Sequence, residues 1–142
     1  MSETTNNGDF KLRREALPVK GSRKVMAMDT ISSITPDDAG CIVISGSHGG
    51  LSSAEYAARE PLAMVFFNDA GVGKDNAGIA GLEYLQQRGI AAGVYAHDSA
   101  MIGNAFDAWE NGVISGLNDL ARKAGYMDGT PLHDSIRSVI GG

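Results

Sequence analysis

With 142 residues, 43% of them apolar and 20% charged, the chain is long enough for one compact domain with a real core and short for two. Twelve Lys and Arg against 17 Asp and Glu give a formal charge of −5, and no dense basic stripe follows residue 24. That balance argues against nucleic acid or an anionic membrane as a partner. The single cysteine, Cys41, excludes an internal disulfide and a cysteine-based zinc site. The polar start, residues 1–9, lacks the apolar core of a signal peptide, and no apolar stretch is long enough to span a bilayer, so a cytoplasmic location is expected.

Residues 1–21 read as a flexible or arm-like segment, and 22–142 as a single α/β domain. The stretch Lys11 to Lys24 is locally basic, with Lys11, Arg13, Arg14, Lys20, Arg23 and Lys24 against Glu15, as in a solvated surface or subunit-contact segment. Residues 25–34 (VMAMDTISSI) read as a first strand, at an edge because of their serines and threonine. Thr35-Pro36-Asp37-Asp38 supplies a cap, a proline at the first helical position and first-turn acids, closed by Gly40. The run 41–45 (CIVIS) reads as a strand buried on both faces. Cys41 at its head is expected to be a buried, inert thiol.

A capping-box pattern, Ser52-x-x-Glu55, places a short helix at 53–59. Residues 62–67 (LAMVFF) are the next buried strand, followed by a helix over 76–88 ended by Gly89. Residues 90–96 (IAAGVYA) form the third strand of this set. Ile102, Ala105, Phe106 and Trp109 repeat at helical spacing until Asn111-Gly112, and Val113, Leu117, Leu120 and Ala124 continue the same rhythm to Gly125. Thr130-Pro131 opens a last helix that buries Leu132, Ile136, Val139 and Ile140. Alternating strands and helices predict a small three-layer α/β fold, with a mainly parallel sheet of about four strands flanked by helices.

Three of the apolar runs break off into polar exits: Ser45 to Gly50, Asn68 to Asn76, and His97-Asp98-Ser99. If the runs are adjacent parallel strands, the exits share the sheet edge where open α/β folds place ligands. In the first exit, Gly49 and Gly50 let backbone N–H groups approach a ligand, with Ser47 beside them. His48, flanked by glycine, is the leading general acid or base. The second exit presents Lys74 from a loop containing Gly71, Gly73 and Asn76, where its ammonium can bind an anion or polarise a carbonyl. Asp69, at the end of an apolar strand, needs hydrogen-bond partners and can orient a histidine. The third exit adds His97 and Ser99 as substrate contacts and Asp98 as a second catalytic acid. Neighbouring side chains at a strand end diverge, so any triad must draw on different exits.

Known motifs do not complete. A P-loop fails because Asn68 stands where the motif needs glycine and Asp75 replaces the metal-binding hydroxyl. Glycines at 71, 73 and 78 do not make the dinucleotide fingerprint, and no G-x-S-x-G elbow is present. No pair of metal ligands is fixed on one element, so neither a metal nor an organic cofactor is expected. The leading expectation is a cofactor-independent enzyme acting on a small polar or anionic metabolite, a hydrolase in preference to a lyase or isomerase. His48, Lys74, Asp69 and Asp98 would be its catalytic groups. The alternatives are a non-catalytic module that binds a small molecule or anion through the same loops, and an assembly subunit. A homo-oligomer is compatible with all three.

Overall fold

The computed structural model describes residues 12–141. Among these residues six strands form one sheet in strictly sequential order. They are β1 (Arg14–Ala16), β2 (Val25–Met28), β3 (Ile42–His48), β4 (Met64–Asn68), β5 (Ala92–Tyr95) and β6 (Ile114–Leu117). The central four run parallel, whereas β1 pairs antiparallel with β2 and β6 antiparallel with β5. The helices are α1 (Leu51–Ala57), α2 (Gly81–Gln87), α3 (Ala105–Asn111), α4 (Asp119–Ala124) and α5 (Leu132–Gly141).

Alternation along the parallel strands divides the core into two layers. Met26, Val43, Val65, Phe67 and Val94 pack with Ala54 and Ala57 of α1 and Leu85 of α2. Val25, Ala27, Ile42, Ile44, Met64 and Phe66 face α3, α4 and α5 through Ala105, Trp109, Ala121, Leu132 and Ile136. The α/β class and the parallel centre thus match the sequence expectation, but the sheet is mixed and has six strands where about four were expected.

Four local expectations change. The first strand stops at Met28 because Asp29 turns the chain and Thr30 caps a 3-10 turn over Ile31–Ser33. Nor is it an edge: β1 covers it, and all four of its residues are buried. Residues 114–117, expected to continue a helix, form β6, where Gly112 and Gly116 weaken a helix and Ile114 and Leu117 are buried by extended pairing. The helix expected from residue 76 begins at Gly81, because the chain first makes a 3-10 turn over Lys74–Asn76. Of the segment 1–21, residues 1–11 lie outside the described residues, and Arg14–Ala16 supplies the edge strand. Among the described residues no helix is long and apolar enough to cross a membrane.

Among the described strands the order is sequential and does not reverse, so the carboxyl edge is not opened by a reversal of strand order. The carboxyl edge is shaped by the path from β5 to α3, which lies behind β2 and β3. To reach it, the chain doubles back over the strand ends. Asn68 Nδ2 donates to the Ala100 carbonyl at 3.1 Å, the Gly103 amide to the Gly46 carbonyl at 2.7 Å, and the Ala105 amide to Asp29 Oδ1 at 3.1 Å. This strap therefore touches the ends of β4, β3 and β2 in turn.

Candidate functional site

The three exits follow β3, β4 and β5, which are neighbours in the sheet. His48, Asn68 and Tyr95 stand in register across those strands. Their loops interlock through the backbone: the Gly49 amide donates to the Asn68 carbonyl at 3.0 Å, and the Gly81 amide to the Gly49 carbonyl at 2.8 Å.

A polar cluster at the second and third exits centres on Asp69. Its Oδ1 accepts from the Gly71 amide at 2.8 Å and the His97 amide at 3.0 Å, and lies 3.2 Å from His97 Nδ1. Its Oδ2 accepts from the Ser115 hydroxyl at 2.7 Å. Burial pushes this carboxyl up, but the Ser115 hydroxyl, the two amides and the His97 ring together hold it below the ordinary carboxylate value. An ionised Asp69 accepts a hydrogen bond from Nδ1–H, which leaves the lone pair of neutral His97 on Nε2. The His97 side chain is 57% exposed while that of Asp69 is 9% exposed, so a fixed acceptor supports a ring that solutes can reach. The His97 ring lies over Gly71, where a Cβ would sit 3.6 Å from Cε1.

His48 is built differently. Its Nδ1 accepts the Gly50 amide at 3.1 Å, so the neutral ring carries its proton on Nε2. Glycine at position 50 permits this, since a Cβ there would come within 2.8 Å of the ring. His48 lines a cleft of about 310 Å³ between the β3 exit and the strap.

The structure therefore joins Asp69, Gly71 and His97 directly and places His48 on a separate wall. Ser47 and Ser99 hold the backbone: Ser47 Oγ accepts the Ile31 amide, and Ser99 Oγ donates to the Ala96 carbonyl and accepts the Val113 amide. The side chains of Lys74 and Asp98 are exposed and make no hydrogen bond or ion pair with a described residue. Asn76 is exposed at φ 60°, in a loop where Ala70, Val72 and Asp75 also have positive φ. For a β-branched residue such as Val72 this backbone is strained.

Sequence reading missed three polar residues. Ser115 was hidden because β6 was read as helix. Asp29 ends β2 and accepts the Arg13 and Ala105 amides, and buried Asn68 ties the strap to β4. Each is a polar residue directly after or within an apolar run, which is the signal that could have found them. Among the described residues no three His, Cys, Asp or Glu side chains gather as a metal-ligand set. Compared with known proteins, the chain matches no family model, no curated protein and no solved structure.

Proposed function

We propose that this chain is a small enzyme that moves protons on a small polar or anionic metabolite without an organic cofactor, and that the reaction is hydrolysis. The observation that carries the reading is the His97 ring held by a buried, ionised Asp69 with Nε2 directed away from that anchor. A general base needs a free lone pair, a fixed orientation and a nearby charge that stabilises its protonated form.

In this reading His97 Nε2 removes a proton from water as the water oxygen bonds to a carbonyl carbon and the carbonyl π pair moves onto oxygen, with Asp69 ionised beside the imidazolium. The oxyanion pair then re-forms the carbonyl, the bond from carbon to the leaving group breaks, and its electron pair takes the proton from Nε2, which returns His97 to the neutral form. Lys74, on the exit of the neighbouring strand, supplies charge for an anionic substrate or for the developing oxyanion. His48, with its proton on Nε2, is a donor where His97 is an acceptor.

The test is a panel of small amides, lactams and esters, followed by proton NMR with wild type, His97→Gln and Asp69→Asn. Wild type should consume a member of the panel, and His97→Gln should slow that by about a hundredfold or more. Turnover that survives His97→Gln would sink the proposal. Saturable binding with no consumption would favour the non-catalytic module.

A further inference from the structure

The cleft beside His48 is lined by Thr30, Ser47 and Ser53 as well as by Leu12 and Ile102, whereas Asp69, His97 and Ser115 do not line it. Ser53 in the first turn of α1 is 5% exposed, yet its hydroxyl makes no hydrogen bond with any described residue. A buried hydroxyl without a partner costs free energy unless something else satisfies it. The cleft is where that partner can sit. His48 also lines the cleft, and its neutral ring carries the proton on Nε2 because Nδ1 accepts the Gly50 amide. Leu12 and Ile102, 51% and 52% exposed, add apolar surface at the rim.

We propose that this cleft binds a small neutral carbonyl compound with a short apolar body, an amide or a ketone, whose oxygen accepts from His48 and Ser53. Its volume, about 310 Å³, lies at the lower end for ligand pockets and limits the ligand to a small molecule. The charge balance of the walls sets the neutrality. Asp29 lines the cleft with its oxygens occupied by the Arg13 and Ala105 amides. Arg13, the nearest cation to that carboxylate, is committed to it at 3.5 Å, to Asn104 Oδ1 at 3.0 Å and to the Phe106 ring at 3.9 Å. Among the described residues that line the cleft none is a lysine or arginine, so a carboxylate ligand would enter beside Asp29 without a cation on those walls.

The experiment is an amide-proton and nitrogen NMR titration of the whole chain with benzamide and, separately, benzoate. Benzamide should give saturable shifts at the Gly46, Ser47, Ser53 and Gly103 amides, and benzoate should bind more weakly. Ser53→Ala should weaken benzamide about tenfold, the loss of one satisfied hydrogen bond. Ile102→Ala, at an exposed wall where folding is safe, should weaken it as well. Absence of cleft-centred shifts, equal binding of benzoate, or unchanged affinity in Ser53→Ala each overturns the proposal. The readout needs no turnover, so its failure is separate from any failure of the base assigned to His97.

Discussion

The Ser115 hydroxyl donates to Asp69 Oδ2 at 2.7 Å, so the edge strand β6 fastens the carboxylate that in turn fastens His97. Asp69 has its pKa lowered in the folded chain, so its contribution to stability is fully present above the ordinary aspartate value. It is lost as pH falls through the lowered value, below about pH 4. Ser115→Ala should cost about 1.5 kcal/mol at neutral pH, and the difference from wild type should shrink as Asp69 protonates. Urea unfolding across the acid range measures both quantities. A difference that does not change with pH would mean that Ser115 acts through packing alone.

Opposite tautomers are expected for the two histidines at the sheet edge. Asp69 accepts from Nδ1 of His97, whereas the Gly50 amide donates to Nδ1 of His48. Long-range proton–nitrogen correlation spectra of the neutral protein should show the proton on Nδ1 of His97 and on Nε2 of His48, with signals assigned through His97→Gln and His48→Gln. In Asp69→Asn the preference at His97 should weaken, since the ionised acceptor is gone. The same tautomer at both rings would remove the distinction between base and donor.

The parts of this fold that were legible in the sequence are those decided by continuous burial. The runs ending at Ser45, Phe67 and Ala96 fall on β3, β4 and β5, the first two strands extending past their runs to His48 and Asn68, because a parallel strand covered on both faces is apolar over its buried length. The edges were not legible. Arg14–Ala16 is short and largely exposed, and it is a strand only because it pairs with Val25–Met28. Val113, Leu117, Leu120 and Ala124 fit a helical period by coincidence across a strand and a helix. At the site, Asp69 and His97 could be named from the exits, but their bond spans 28 residues and depends on strand order. Ser115 and Asp29 acquire their roles only through partners on other elements.

The basic segment holds a structural ion pair. Arg14 meets Asp38 through two hydrogen bonds of 2.7 and 2.8 Å, and Asp38 also accepts the Thr35 amide at 2.8 Å. Burial pushes the Asp38 carboxyl up, but Arg14 and the Thr35 amide bring it below its ordinary value. Arg14→Ala would leave a carboxylate only 1% exposed without its cation, a loss of about 3 kcal/mol at neutral pH. Since Asp38 favours the folded state only while ionised, that loss should diminish toward about pH 3. Denaturant midpoints of wild type and variant at the two pH values decide it, and equal losses at both would dismiss the charge argument.

Gly46 is the point where the strap presses closest on the sheet. A Cβ there would stand 2.5 Å from the Asp29 carbonyl oxygen, 2.7 Å from the Asn104 nitrogen and 2.7 Å from the Gly103 carbonyl carbon, all of them backbone. No rotamer change can relieve such contacts, so Gly46→Ala must lift the strap or shift β2, and about 3 kcal/mol or more should be lost. Gly89→Ala makes the contrast, because its φ of +78° is unfavourable for alanine but nothing lies within 4 Å of the new carbon. There the cost should be the backbone term alone, about 1 to 2 kcal/mol. Since Gly46 and Gly103 both line the cleft beside His48, the Gly46 variant should also alter the amide shifts of Ser47, His48 and Gly103 in the folded state. If Gly46→Ala proved as mild as Gly89→Ala and left those shifts in place, the strap would not be seated on β3 as described.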